Sequence, residues 1–135
     1  MDKIIVDVMI KGDIKDIWSK WTQDKHIKNW YFASDDWHVP NVEQNFEVGK
    51  TFTYRMEAKD GSMGFDFSGT FTDIKVHKSI TYVLEDNRKV VTNFEEYGNQ
   101  IHLIQEFEPE NDFSLEMQKQ GWQAILNNYK KYVEK

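Results

Sequence analysis

No cysteine occurs in the chain, which excludes disulfides and thiolate chemistry and makes a reducing, cytoplasmic setting the simplest expectation. Prolines number only two and glycines seven, and no linker, repeat or low-complexity segment is visible. At 135 residues, one domain spanning 1–135 is expected, large enough to bury its apolar surface without staples. Cations are in deficit, with 17 Lys and Arg against 23 Asp and Glu and a net charge of −6. Phosphate backbones are held by clustered Lys and Arg, so nucleic acid is not an expected partner. Long apolar runs are also missing. No stretch approaches the roughly 20 residues of a membrane span, so no membrane insertion is expected. The run Met1–Val8 is broken by Asp7 and has no small-residue cleavage site, so it does not read as a secretory leader.

The motifs of familiar chemistries are absent as well. His26, His38, His77 and His102 fall on different elements with no ligand spacing, so neither a metal nor any other cofactor is expected. None of the serines sits in a nucleophile motif. Gly61-Ser62-Met63-Gly64 precedes no helix and reads as a turn, not a phosphate cradle. The acidic pairs Asp35-Asp36, Glu85-Asp86 and Glu95-Glu96 read as solvated turns or edges. Acid–base catalysis needs one carboxyl group in apolar surroundings, and nothing in these patterns supplies it.

What is abundant is aromatic surface: nine Phe, six Tyr and five Trp make up 15% of the residues. That excess implies either an aromatic-heavy core or rings that line a pocket. Residues 3–11 alternate, with Ile4, Val6, Val8 and Ile10 on one side, which predicts a half-buried strand. Asp13 is a natural N-cap for a short helix carrying Ile14, Ile17, Trp18 and Trp21. A second helical turn is expected at 23–29, then an irregular loop over 30–50 containing Trp30, Phe32 and Trp37. From Thr51 the period becomes two. Phe52, Tyr54, Met56 and Ala58 share a face, Asp60-Gly61 marks a hairpin, and Phe65, Phe67, Gly69 and Phe71 follow. Ile74 reverses the parity, which predicts a bulge near Thr72-Asp73. Further strands carry Ile80, Tyr82 and Leu84, then Val90, Thr92 and Phe94, then Ile101, Leu103 and Phe107 before Pro109.

The chain closes on residues 114–135, where Leu115, Trp122, Ile125, Leu126, Tyr129 and Val133 form one stripe at helical spacing. Glu116, Lys119, Gln123, Asn127, Lys130 and Glu134 take the other side. A helix about 30 Å long with one apolar face must bury that face. The fold class expected is therefore α+β: a curved antiparallel sheet wrapped around a long C-terminal helix, with two short helices after the first strand. Phe52, Tyr54, Met56, Phe65, Phe67 and Phe94 should occupy the concave side. Gly121 within the helix has two readings, close packing against a strand or room for a bound molecule. Tyr54, Tyr82 and Gln105 are on inward parity and need partners, from protein, water or ligand. The candidate pocket walls are Trp18, Trp21, Phe52, Tyr54, Met56, Phe65, Phe67, Tyr82, Phe94, Gln105, Met117 and Gly121, with Trp30, Phe32 and Trp37 at the mouth. Trp122 is expected to be a core anchor.

Gln120-Gly121-Trp122-Gln123-Ala124-Ile125-Leu126-Asn127-Asn128-Tyr129 resembles the closing helix of the activator-of-Hsp90-ATPase homologue branch of the START-like superfamily. Ile14-Lys15-Asp16-Ile17-Trp18, Val48-Gly49-Lys50-Thr51-Phe52 and Gln105-Glu106-Phe107-Glu108 extend the resemblance over essentially the whole chain. It implies a helix-grip fold with a cavity between helix and sheet, where superfamily relatives take sterols, lipids, hormones or polyketides. The leading functional expectation is non-enzymatic binding of a small hydrophobic or amphipathic molecule. The alternatives are a chaperone-interacting module tied to the stress response and a cyclase/dehydratase-like enzyme. The eukaryotic namesake carries a chaperone-binding N-terminal domain with no counterpart in these residues, which places the co-chaperone role second.

Overall fold

The structure is a computed structural model that describes residues 3–135. Met1 and Asp2, part of the stretch read for a leader, lie outside the described residues. The elements run β1 (Ile4–Lys11), α1 (Ile14–Thr22), α2 (Asp24–Ile27), β2 (Trp37–Gln44), β3 (Thr51–Ala58), β4 (Gly64–Lys75), β5 (Ser79–Leu84), β6 (Lys89–Tyr97), β7 (Gln100–Phe107) and α3 (Leu115–Val133). The strands form one seven-stranded sheet in the order β1-β7-β6-β5-β4-β3-β2, every pairing antiparallel. The sheet curls into a half-barrel that grips α3.

Local chemistry sets most of the boundaries. The Asp13 side chain caps α1 by accepting from the Asp16 N–H, and the Ser114 side chain caps α3 by accepting from the Met117 N–H. A register shift between Phe71 and Asp73 is the bulge that turns Ile74 to the opposite parity. The loop expected over 30–50 needs correction, because Trp37–Gln44 forms the edge strand β2. Its signal was hidden by a second bulge between His38 and Asn41, which lets Val39 and Val42 both point inward despite being three residues apart. Pro40 sits in that bulge on the sheet edge, where a missing N–H costs no ladder bond.

The core is aromatic. Trp21 and Trp30 lie 4.7 Å apart, and each meets the ring of Tyr129 on α3, at 4.9 and 4.5 Å. Tyr129 also donates its hydroxyl to the Ile17 carbonyl, so α1 and α3 are joined by a buried hydrogen bond as well as by packing. Trp30 donates its indole N–H to the Lys20 carbonyl at 3.0 Å. Further along the sheet, Phe52 packs on Tyr54, Phe71 and Tyr82 at 5.0, 5.2 and 4.8 Å.

The polar side assigned to α3 also needs correction. Gln123, Lys130 and Glu134 do not simply face water; they satisfy the free edge of β1. Gln123 Nε2 donates to the Asp7 carbonyl (2.8 Å) and Lys130 Nζ to the Met9 carbonyl (2.6 Å), while Glu134 Oε2 accepts from the Lys11 N–H (2.9 Å). Leu115, placed on the buried stripe, is 58% exposed.

Gly69 is the register partner of Phe52 across β3 and β4, and the Phe52 ring lies over its backbone. A Cβ at this position would come within 2.8 Å of both the ring and the Val83 carbonyl oxygen. Gly69→Ala should therefore destabilise the protein by about 1–3 kcal/mol, the usual penalty of overpacking. A thermal melt should fall by several degrees; an unchanged midpoint would mean that the ring shifts aside freely.

Candidate functional site

Between α3 and the β3–β5 side of the sheet lies a cavity of about 590 Å³, within the 300–1,000 Å³ typical of small-molecule sites. Its apolar wall comes from Tyr31, Met56, Phe67, Leu84, Trp122 and Ile125. Trp37 and Phe65 stand at the opening, their rings 5.9 Å apart, and Phe65 is 48% exposed. Trp122 is stacked on Phe107 with centroids 3.9 Å apart and planes 14° from parallel. It is half-buried, and its ring meets that of Phe67 edge-on with centroids 6.1 Å apart. Trp122 is therefore both a packing residue and a wall, which corrects its reading as a core anchor alone.

The far end is polar. Arg88, just before β6, donates from Nε to Asp86 Oδ2 (2.7 Å) and from Nη1 to the Glu108 carbonyl (3.3 Å). Its Nη2 lies 3.1 Å from Glu110 Oε2. Gln118, buried on α3, accepts from the Glu110 N–H and donates to the Glu110 and Phe113 carbonyls, each at 2.9 Å. The β5–β6 turn, the segment after β7 and the start of α3 are thus tied together where Asp86, Arg88 and Glu110 line the cavity. Asn87 supplies the left-handed turn conformation (φ 70°) that sets Arg88 there.

Of the residues expected to form a pocket, Trp37, Met56, Phe65, Phe67 and Gly121 line this cavity. The others are elsewhere. Trp18, Trp21, Trp30, Phe52, Tyr54, Tyr82 and Phe94 are buried in the core, locked against one another or against α3. Phe32 is half-buried and does not line the cavity, and Met117 is 60% exposed near the start of α3. Gln105 is satisfied within the sheet, donating to Thr92 Oγ1 at 3.0 Å. Among the described residues no buried side-chain N or O lacks a partner.

Sequence reading missed Tyr31, Leu84, Arg88, Glu110, Trp122 and Ile125. The last two carry a helical-stripe signal, but nothing in spacing says which part of a stripe meets sheet and which meets space. Gly121 does not pack closely on a strand: a Cβ there would meet nothing within 4 Å. Burial pushes the Tyr31, Tyr54 and Tyr82 hydroxyls above the ordinary tyrosine range, offset in part at Tyr31 by a hydrogen bond from Tyr82. They are hydrogen-bonding groups, not acids, at neutral pH. Among the described residues no group of three or more His, Asp or Glu side chains is placed to hold a metal ion, and no helix is long and apolar enough to cross a membrane.

A curled antiparallel sheet closed on one long helix, with a cavity between them, is the helix-grip architecture of START-like proteins. The chain belongs to the family described as activator of Hsp90 ATPase homolog 1-like protein, AHSA1, whose model matches residues 11–134. The AHSA1-like protein of Aeromonas hydrophila is similar at 36% identity, covering 98% of this chain and 92% of that one with a TM-score of 0.93. Chr148 of Cytophaga hutchinsonii is 42% identical over the same shares, with a TM-score of 0.86. The Aha1 dimer of Colwellia psychrerythraea shares the fold at 17% identity, covering 99% and 97% of the two chains with a TM-score of 0.79. None of the curated proteins matches.

The empty space above Gly121 generates a prediction. Alanine is favoured over glycine in a helix interior by about 1 kcal/mol, and here the added methyl displaces nothing. Gly121→Ala should raise the denaturant midpoint by up to that amount. A loss of stability would show that the glycine serves close packing after all.

Proposed function

We propose that the chain binds a small hydrophobic or amphipathic molecule, without chemical turnover, in the cavity beside Gly121 and Trp122. The observation that carries this reading is the cavity of about 590 Å³ in a protein whose core aromatic residues are closely interlocked. An apolar wall ending in a few fixed polar groups is the usual form of a small-molecule site, the wall supplying affinity and the polar groups orientation. Burying apolar ligand surface contributes about 25 cal/mol per Å², so a few hundred Å² suffices for micromolar affinity after association costs. A cytoplasmic location belongs to the same proposal and rests on the lack of cysteine.

A second reading, a protein-binding or co-chaperone-like module, is favoured by family membership and by one surface feature. Phe113, Leu115 and Met117, at 55, 58 and 60% exposure, crowd the start of α3. An exposed apolar group of this kind suits a protein partner. Severalfold stimulation of the host Hsp90 ATPase at micromolar protein would favour this reading over the first.

The ligand-binding reading is tested by titrating diphenylhexatriene, an uncharged rod-shaped fluorophore, into wild type and Gly121→Leu. Wild type should give a saturable fluorescence rise with low-micromolar affinity. The leucine side chain projects into the cavity and should weaken binding at least severalfold while the circular dichroism spectrum stays the same. Equal, non-saturating signals from both proteins would overturn the reading.

A further inference from the structure

We propose that the cavity discriminates among amphiphiles by head-group charge, accepting cationic and neutral heads and turning away anionic ones. This deepens the ligand-binding reading and rests on it. The charged groups lining the cavity are Asp66, Glu85, Asp86 and Glu110 against Arg88, beside the neutral hydroxyl of Tyr31. That guanidinium is already engaged, with Asp86 at 2.7 Å and Glu110 at 3.1 Å.

The layering of these groups matters as much as their number. The Arg88 side chain is only 17% exposed, whereas its partners Asp86 and Glu110 are 53 and 30% exposed. The carboxylates are thus the more accessible members of this cluster and the guanidinium the more covered one. A ligand carboxylate would have to displace Asp86 or Glu110 from Arg88, giving up one charge-assisted pair to form another. Asp66 is compensated in part by Arg55 outside the cavity (3.4 Å), but Glu85 is exposed and has no ion pair among the described residues. A cationic head needs no displacement. It gains from the carboxylates that line the cavity and, at the opening, from the ring of Trp37.

Three fluorophores with one apolar body test this: diphenylhexatriene, its trimethylammonium derivative and its propionic acid derivative. In low salt the cationic probe should bind about five- to tenfold more tightly than the propionate, the scale of a few charges acting through partly aqueous surroundings. The gap should narrow at about 0.5 M sodium chloride, where such interactions are screened. Glu85→Gln, at an exposed position, should narrow it as well. Asp86→Asn combined with Glu110→Gln should reverse the preference by uncovering Arg88. If that double variant fails to fold, the salt series and Glu85→Gln still decide the matter. Equal or tighter binding of the propionate by wild type overturns the proposal while leaving the ligand-binding reading intact. So does a cationic preference that responds neither to salt nor to Glu85→Gln, since shape and not charge would then set it. Binding of none of the three probes removes both readings together.

Discussion

A strand at the end of a sheet has backbone groups that must find partners, and in this protein that requirement fixes where the long helix lies. β1 pairs only with β7, leaving one line of N–H and C=O groups facing outward. Gln123, Lys130 and Glu134 occupy that line, so α3 runs closest to β1 of all the strands. Each bond contributes about 1 kcal/mol net, but together they prevent the helix from sliding across the sheet. The apolar stripe then has a fixed orientation, with Leu126 and Tyr129 buried and Trp122 laid flat on Phe107.

The cavity is a consequence of that placement. A helix held to the β1 side leaves part of β3 and β4 uncovered, so Met56 borders open space while Phe67 meets the helix through the ring of Trp122. The space is kept from collapsing by rigid neighbours on both sides. Trp122 is braced by Phe107, and Phe67 is surrounded by Tyr31, Tyr54, Phe52 and Tyr82. Gly121 adds to the volume by presenting no side chain where one would point into it. The cross-ties from Arg88 and Gln118 close the polar end, so the site is held by elements far apart in sequence.

Membership of the AHSA1-like family and the helix-grip fold suit either a ligand-binding or a co-chaperone-like module. Those two possibilities draw on different surfaces of the same chain. The cavity is lined by aromatic and aliphatic side chains and a group of charged ones, whereas Phe113, Leu115 and Met117 lie outside it around the start of α3. A protein that used both would need no rearrangement of the core to do so.

Apart from β2, the order of elements, the capping of α1, the bulge after Phe71 and the alternation of buried residues through β5, β6 and β7 were all written in local pattern. Such features depend on neighbours within a few positions, which a sequence displays directly. β2 was hidden because its bulge breaks the period by which strands are recognised. The division of inward residues between core and cavity was not legible at all: Phe52 and Phe67 stand on adjacent strands with the same parity, yet only Phe67 reaches the cavity. Period two tells which face a side chain takes, not what lies opposite it. That was decided by where α3 came to rest, and its position depends on pairings between residues more than a hundred positions apart, such as Gln123 with Asp7 and Lys130 with Met9. Arg88 and Glu110 likewise came together only when the fold brought a turn and a loop to the same end of the helix.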